Sequence, residues 1–313
     1  MSKLVSVIVP NYNHAQYLDI RLKSILAQTY TDFEIIILDD NSIDNSKEII
    51  KRYEKDVHVS HIICNKTNSG SPFIQWNRGF QYAKGDLIWI AESDDCCEPT
   101  FLENVVAEFE RNSNLSFAFS RSIKIDENGN KGNILQPMFT SDIRIDGKEF
   151  NKKFLIWGNK VWNASSVVFR KSNALVLNKQ YMDFRGAGDW LFWIEMAEKG
   201  DVTVVSEPLN YYRVYSKNTT NSMRLNGMED IEDKKIYDFI ISNYQLSLIN
   251  KVRLQKSFIY KILYENEYAT ADVRKESIRL WKPSLFLKLL AYVSHLKYST
   301  EVSQVNKYQL ACL

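Results

Sequence analysis

The chain has 313 residues, of which 45 % are hydrophobic, 13 % aromatic and 25 % charged, the make-up of a soluble globular protein with one large domain or two small ones. A net charge of +2 points to no particular partner, and no nucleic-acid partner is expected. No apolar run is long enough to cross a bilayer, no signal peptide is expected ahead of the first strand, and Cys64, Cys96, Cys97 and Cys312 show no zinc spacing. Adjacent cysteines do not normally pair, so a reducing, cytoplasmic location is expected.

Residues 4–10 read as a strand closed by Pro10, and residues 11–13 as the loop after it. Leu18, Leu22, Ile25 and Leu26 recur at helical spacing, so one face of a helix packs on a sheet. A second apolar run, 33–38, ends in Asp39-Asp40-Asn41-Ser42, and Asn45 with Glu48 signals the next helix. Residues 57–64 read as a third strand, 65–70 as a loop, 73–83 as a helix and 87–91 as a fourth strand. Thr100 and Glu103 are spaced as a capping box for the helix that follows. Strands alternating with helices predict a doubly wound, parallel α/β sheet.

The fourth strand runs straight into Glu92-Ser93-Asp94-Asp95. In an open α/β sheet the carboxyl ends of the strands are where ligands bind. Adjacent carboxylates repel unless a cation or a hydrogen-bond network sits between them. Two readings follow: a site for a hard divalent cation carrying phosphates, or an acidic loop before a helix N-terminus. A second Asp-Asp pair at the end of the second strand favours the site, since two acidic strand ends at one sheet edge concentrate charge at a cost.

Beyond residue 115 the pattern changes. Residues 116–125 read as a strand, and Glu127-Asn128-Gly129 has hairpin-turn chemistry. Residues 130–160 are irregular and are expected to cover the site, and 165–170 form another strand. Arg185-Gly186-Ala187-Gly188-Asp189 leads into an aromatic helix with Trp190, Phe192 and Trp193. Residues 202–205 and 209–215 read as two strands, 216–230 as a polar linker or lid, and 231–313 as helical. From residue 251 onward eleven Lys/Arg face five Asp/Glu, a net charge of +6, which leaves the rest of the chain at −4. Residues 280–296, with Lys282, Lys288 and Lys297, are too short and interrupted to span a bilayer. That basic tail reads either as an amphipathic helix lying on anionic lipid, peripheral at the inner face of the membrane, or as a helix packed on the protein or on another subunit.

Ser6-Val7-Ile8-Val9-Pro10-Asn11-Tyr12-Asn13, Glu34-Ile35-Ile36-Ile37-Leu38-Asp39-Asp40-Asn41-Ser42, Gly85-Asp86-Leu87-Ile88, Asp94-Asp95 and Gly188-Asp189 occur in an order and spacing that resemble the family-two inverting glycosyltransferases of GT-A fold, of the bacterial capsule and lipopolysaccharide type. The resemblance covers residues 4–215, the expected catalytic domain, and leaves the helical C-terminal extension unexplained. It implies that Pro10 and Tyr12 lie beside the nucleotide, with Tyr12 near the base. It implies that Asp40 accepts a hydrogen bond from a uracil or thymine imide, with Asp39 as its structural neighbour. Asn68 and Gly70 would belong to the loop meeting the nucleotide, and Asn77 and Arg78 to the helix beside it. Asp94 and Asp95 would occupy the DXD-like position, Asp95 on the cation and Asp94 nearer the ribose. Asp189 would be the catalytic base.

The chemistry implied is transfer of a sugar from a UDP- or dTDP-type donor to a hydroxyl of a glycan or lipid-linked acceptor. Mg²⁺ or Mn²⁺ suits an oxygen-rich site of one or two carboxylates plus phosphates, where it acts as a Lewis acid on the departing diphosphate. An acceptor hydroxyl needs a positioned carboxylate to take its proton, and one displacement inverts the anomeric carbon. Asp189 suits that task, its proton affinity raised by neighbouring aromatics.

Plainer roles stand beside these. Asp189 could simply cap the helix at Trp190, Tyr12 could be packing, and Arg78 a surface charge. Trp190 and Trp193 share a helix face where core packing is the default, although Trp162 or Trp190 could stack on a sugar. His14 reads as a helix-start residue, and Cys96-Cys97 as small residues before Thr100. Tyr215 stands where many relatives carry a histidine. A tyrosine stays protonated at neutral pH and ligates a hard cation poorly, so Tyr215, Arg213 and Lys217 are candidate diphosphate contacts. That departure is the only support for an alternative, a catalytically silent nucleotide-sugar or glycan-binding module on the same fold. A dinucleotide-dependent oxidoreductase and a P-loop enzyme are excluded by the absence of their glycine loops.

Overall fold

A computed structural model describes residues 3–215 and 219–310. Lys217 and Cys312 lie outside the described residues. The chain divides into two compact units, Met1–Tyr215 and Ser216–Leu313.

The first unit is built on one twisted sheet. Its strands are β1 (Val5–Asn11), β2 (Phe33–Asp39), β3 (Val59–Cys64), β4 (Leu87–Ile90), β5 (Cys96–Cys97), β6 (Leu115–Ile125), β7 (Lys131–Ile134), β8 (Ile143–Ile145), β9 (Val167–Arg170) and β10 (Asp201–Arg213). They lie in the order β3-β2-β1-β4-β9-β6-β10-β5, with β7 on β6 and β8 on β10. The pairs β1/β2, β1/β4, β2/β3 and β6/β10 are parallel. Between the two parallel blocks β9 runs antiparallel to both β4 and β6.

Helices α1 (Ala15–Leu26), α2 (Ser46–Arg52), α3 (Pro72–Tyr82), α4 (Phe101–Arg111), α5 (Gly147–Lys153), α6 (Lys171–Leu175) and α7 (Gly188–Ala197) complete this α/β unit. β1, β2 and β4 are buried at every position, which is why they read as continuous apolar runs rather than alternating ones. β1 sits between β2 and β4, so the strand order reverses there and the mouths of β1 and β4 open side by side. The tight entry to β4 needs Gly85, where a Cβ would stand 2.4 Å from the Leu4 carbonyl oxygen.

Several local expectations are corrected. Cys96-Cys97 are not mere spacers but a short strand, paired antiparallel with Tyr211 and Asn210 of β10. Residues 130–160 are ordered into β7, β8, α5 and a 3-10 turn rather than an irregular cover. The two strands expected over 202–215 are one, β10, kept continuous by register shifts around Pro208. Thr100 stands at the N-cap of α4 without a side-chain cap bond. The α4 N–H of Leu102 is satisfied instead by Gln28 Oε1 from the turn after α1, and Glu103 accepts from Thr29 Oγ1. Long-range partners outcompeted the local box.

The second unit is helical: α8 (Thr219–Leu225), α9 (Met228–Asn243), α10 (Leu248–Tyr260) continuing into a π-turn (Lys261–Glu265), α11 (Ala271–Trp281) and α12 (Leu285–Leu310). Residues 219–225 and 228–230, expected as part of a linker or lid, are therefore helical. Ile236, Ile240, Leu254, Phe258, Ile262, Trp281 and Ala291 form its core. Lys261 bridges Glu229 and Asp233 at 3.0 and 2.7 Å, so these buried acids are paired, as burial of charge requires. Among the described residues no helix is long and apolar enough to cross a membrane.

Candidate active site

The mouths of β2 and β4, on either side of β1, carry five acidic side chains in different surroundings. At β2, Asp39 is fully buried and takes hydrogen bonds from Asn11 Nδ2 (2.9 Å) and the Ser42 N–H (3.0 Å), which ties the β1 and β2 exits together. Asp40 accepts from Asn65 Nδ2, Asn68 Nδ2, the Ser69 N–H, Ser69 Oγ and Gln75 Nε2, all within 3.1 Å. A carboxylate has about four lone-pair positions. Asp40, expected to receive a base N–H, has its oxygens on the 65–71 loop and Gln75 in this structure. Asn68 closes that loop by accepting the Gly70 N–H at 2.8 Å, and Gly70 adopts φ +79°.

Pro10 is buried in β1, whereas Tyr12, next along the exit, is 45 % exposed and presents a ring to solvent. Asn77 and Arg78 are half-buried on α3 and have no hydrogen-bond or ion-pair partner among the described residues. Polar groups left in that state are available to a ligand.

The β4 mouth is the acid corner. Asp95 is 1 % exposed. Its Oδ1 accepts the Arg213 N–H at 2.9 Å, and its Oδ2 accepts Asn163 Nδ2 at 2.9 Å and Ser165 Oγ at 2.6 Å. Burial and the adjacent Asp94 still raise its pKa. Both oxygens of Asp95, the residue expected on the cation, are thus engaged by protein donors and enclosed. Asp94 is half-exposed, and among the described residues its side chain accepts a hydrogen bond from Tyr215 Oη alone, to Oδ2 at 3.3 Å, which leaves Oδ1 without a donor there. Glu92 accepts from Trp76 Nε1 at 2.9 Å, and burial followed by repulsion from Asp94 pushes it up to about 8.

Glu92 and Asp95 feel the buried Arg21, whose guanidinium sits 4.7 Å over the Trp89 ring and whose nitrogens have no hydrogen-bond partner among the described residues. Its field lowers the pKa of both Glu92 and Asp95. The corner remains under-neutralised at Asp94, the donor-free oxygen, and one carboxylate plus phosphate oxygens is a donor set that suits Mg²⁺ or Mn²⁺. Among the described residues no three His, Cys, Asp or Glu side chains converge to hold a metal by protein ligands alone.

His14 belongs to this corner and was missed. It stands at the N-cap of α1, as a helix-start residue should, but its ring also bridges Ser93 Oγ (Nδ1, 2.8 Å) and Tyr215 Oη (Nε2, 3.0 Å). Tyr215 is thus held between His14 and Asp94, and burial raises its pKa far beyond neutrality. Arg213 is 3 % exposed. It donates to the carbonyls of Asp94, Asp126 and Glu127 and stacks 4.5 Å over Tyr17. Arg213, a candidate diphosphate contact, thus engages backbone carbonyls and a ring in this structure. A cleft of about 440 Å³ lies on that side, lined by Tyr17, Glu127, Lys131, Tyr211 and Arg213, and none of Tyr12, Asp40, Asp94 or Asp189 borders it.

Asp189 lies in the first turn of α7, not at its N-cap, which is Ala187. The turn is tight: a Cβ at Gly188 would stand 2.4 Å from the Tyr181 carbonyl. Asp189 Oδ2 accepts Asn159 Nδ2 at 2.8 Å and Oδ1 accepts the Trp190 N–H at 2.7 Å. Trp190 is 7 % exposed, with Nε1 donating to the Leu155 carbonyl, and packs as core rather than as a sugar platform. Trp162 differs: it is 46 % exposed and held at φ +70°, a conformation costly for a bulky residue.

The segment 159–165 joins the two halves of the site. Asn159 holds Asp189, Asn163 and Ser165 hold Asp95, and Ser165 Oγ also accepts the Glu92 N–H at 3.1 Å. Trp162 stands in the middle. Asn159, Asn163 and Ser165 carry no motif, so nothing in the sequence marked them.

The profile of the family Glycosyl transferase family 2 matches residues 6–169. The GalNAc(5)-diNAcBac-PP-undecaprenol beta-1,3-glucosyltransferase of Campylobacter jejuni is 25 % identical over 322 aligned positions, covering 94 % of this chain and 94 % of that protein. The crystal structure of Staphylococcus aureus TarS 1–349 in complex with UDP-GlcNAc is similar with a TM-score of 0.65 at 20 % identity, over 91 % of this chain and 77 % of that one. The mannosyltransferase PcManGT of Pyrobaculum calidifontis, in complex with GDP-Man and Mn²⁺, gives 0.57 at 17 % identity, over 95 % and 81 %. At such identities the two solved structures speak for a shared fold alone. With just over half of its length inside the family profile, this chain belongs to the family 2 glycosyltransferases.

Proposed function

We propose that this glycosyltransferase is an inverting one, which moves a sugar from a UDP- or dTDP-type donor to a hydroxyl of a glycan or lipid-linked oligosaccharide. The observation that carries the proposal is the 159–165 segment, which fixes Asp189 through Asn159 and the acid corner through Asn163 and Ser165. One rigid piece of chain thereby sets both groups that a single displacement needs, a proton acceptor and a diphosphate-binding corner. The donor type is supported by the UDP-GlcNAc complex of TarS, and the acceptor class by the name of the Campylobacter relative.

In this proposal Tyr12 lies against the base, and the 65–71 loop held by Asp40 approaches the nucleotide. Asn77 and Arg78 of α3, which have no hydrogen-bond or ion-pair partner among the described residues, would lie beside the nucleotide. Asp94 would hold Mg²⁺ or Mn²⁺, and PcManGT, complexed with Mn²⁺, supports a metal in this fold. When bound, such an ion supplies Lewis acidity to the leaving diphosphate. Asp95 keeps the strand mouth rigid beneath it. Asp189 takes the proton of the acceptor hydroxyl, oriented by Asn159 and by the Trp190 N–H. Trp162 offers the exposed ring nearest to both groups along the chain, suited to stacking on a sugar.

The test is a thermal-shift screen with UDP, dTDP and their sugars, with and without Mn²⁺, followed by a transfer assay. Donor should stabilise the wild-type protein, and Asp189→Asn should keep that shift while losing transfer. No shift with any donor refutes the donor assignment. Full turnover in Asp189→Asn removes Asp189 from the base role. Donor binding without turnover by the wild type, across acceptors, favours the silent binding module.

A further inference from the structure

We infer that the outer face of α12 is a docking surface for an anionic lipid bilayer. The inference concerns the helical unit alone and stands whether or not the sugar-transfer proposal holds. α12 packs with one face only. Leu287 and Ala291 are buried, Lys256 Nζ of α10 donates to Ser294 Oγ at 3.1 Å, and His295 stacks on Tyr264 at 4.3 Å. The opposite face carries Leu285, Phe286, Leu289, Tyr292, Val293 and Leu296, which are 41–84 % exposed. Their spacing of three and four residues makes one continuous stripe about three turns long. Single exposed apolar residues need no explanation, but a contiguous stripe of six marks an interaction site.

Charge identifies the occupant. Between residues 277 and 300 the chain holds Arg279, Lys282, Lys288 and Lys297 and no Asp or Glu. None of these four has an ion-pair partner among the described residues. Leu280, at the end of α11, is also exposed and extends the apolar patch beside Lys282. An apolar stripe flanked by unpaired cations is the pattern of a helix lying in a lipid headgroup region, apolar side sunk and lysines reaching the phosphates. A second copy of the chain fits less well. A two-fold interface sets the same patch against itself, so these cations would face their own equivalents with no carboxylate between them. Among the described residues no helix can cross a bilayer, so the contact is peripheral.

The experiment is sedimentation of the full-length protein with phosphatidylglycerol–phosphatidylcholine vesicles and with pure phosphatidylcholine vesicles. Binding is expected to the anionic vesicles and to be at least tenfold weaker on the neutral ones. Leu289→Glu with Phe286→Glu should abolish it with an unchanged far-UV spectrum. Lys288→Gln with Lys297→Gln, which leaves the apolar stripe intact, should weaken it about 25-fold, at about fivefold per lysine near an anionic surface. Absence of binding by the wild type, or equal binding by both double variants, overturns the inference. So does a concentration-dependent dimer that Leu289→Glu dissociates in the absence of vesicle binding.

Discussion

Asp95→Ala and Asp94→Ala should separate structure from chemistry at the acid corner. Removing the Asp95 carboxylate strands three donors, the Arg213 N–H, Asn163 Nδ2 and Ser165 Oγ, in a site that is 1 % exposed. Each stranded donor costs about 1 kcal/mol or more, and relief of repulsion from Asp94 and Glu92 returns about 1 kcal/mol, for a net loss of about 2–3 kcal/mol. For a domain of this size that lowers Tm by about 4–12 °C. Asp94→Ala removes one long hydrogen bond from Tyr215 at 3.3 Å and relieves its charge on two neighbours. Its Tm should therefore stay within about 2 °C of wild type or rise. The assay is differential scanning fluorimetry with and without Mn²⁺ and UDP. Asp95→Ala should start low and still gain from Mn²⁺ with UDP, whereas Asp94→Ala should start normal and lose that gain. The reverse pattern, a stable Asp95→Ala blind to Mn²⁺, would refute the assignment and return the cation to Asp95.

Two further outcomes follow from individual contacts. Asn159→Ala removes the 2.8 Å partner of Asp189 together with the acceptor of the Val161 and Trp162 N–H groups, and should cut kcat about 10- to 100-fold while leaving donor KM near wild type, since the base and the turn beside it lose their orientation; a raised donor KM with normal kcat would contradict this. Glu195 on α7 has a buried oxygen with no partner, and burial pushes its pKa up to about 7 from an ordinary 4.5. The folded state then keeps a proton that the unfolded chain releases, so this group's stabilisation is full below about pH 4.5 and lost as pH rises through about 7. Glu195→Gln should flatten the decline in Tm across that window, and an unchanged pH profile would count against it.

The α/β class, the four parallel strands β1–β4 and the aspartates at their mouths were legible because each is written locally. Strands buried on both faces must be apolar throughout, and they end where Asp, Asn and Ser take over. The division between Asp94 and Asp95 was not legible. Both are aspartates in one acidic turn, and only Asn163, Ser165 and the Arg213 N–H, 68 to 118 residues away in the chain, enclose one and leave the other open. The surroundings of Asp40 were not legible for the same reason, since its partners come from a loop and a helix 25 to 35 residues later. Trp190 and Trp162 look equally aromatic in sequence, yet one lies in the core and the other is exposed at φ +70°.

By itself, then, the sequence determined the alternation of strands and helices, the position of the acidic strand ends and the basic, helical character of the C-terminal region, all of which depend on neighbours within a turn or a strand. Tertiary structure alone decided which oxygens are already satisfied: a carboxylate's capacity to bind a cation, a base or a hydroxyl depends on donors brought to it from across the chain. His14 is the plainest instance. Its place at a helix start is set by its neighbours, and its bridge from Ser93 to Tyr215 exists only because β1, β4 and the segment after β10 end at the same sheet edge.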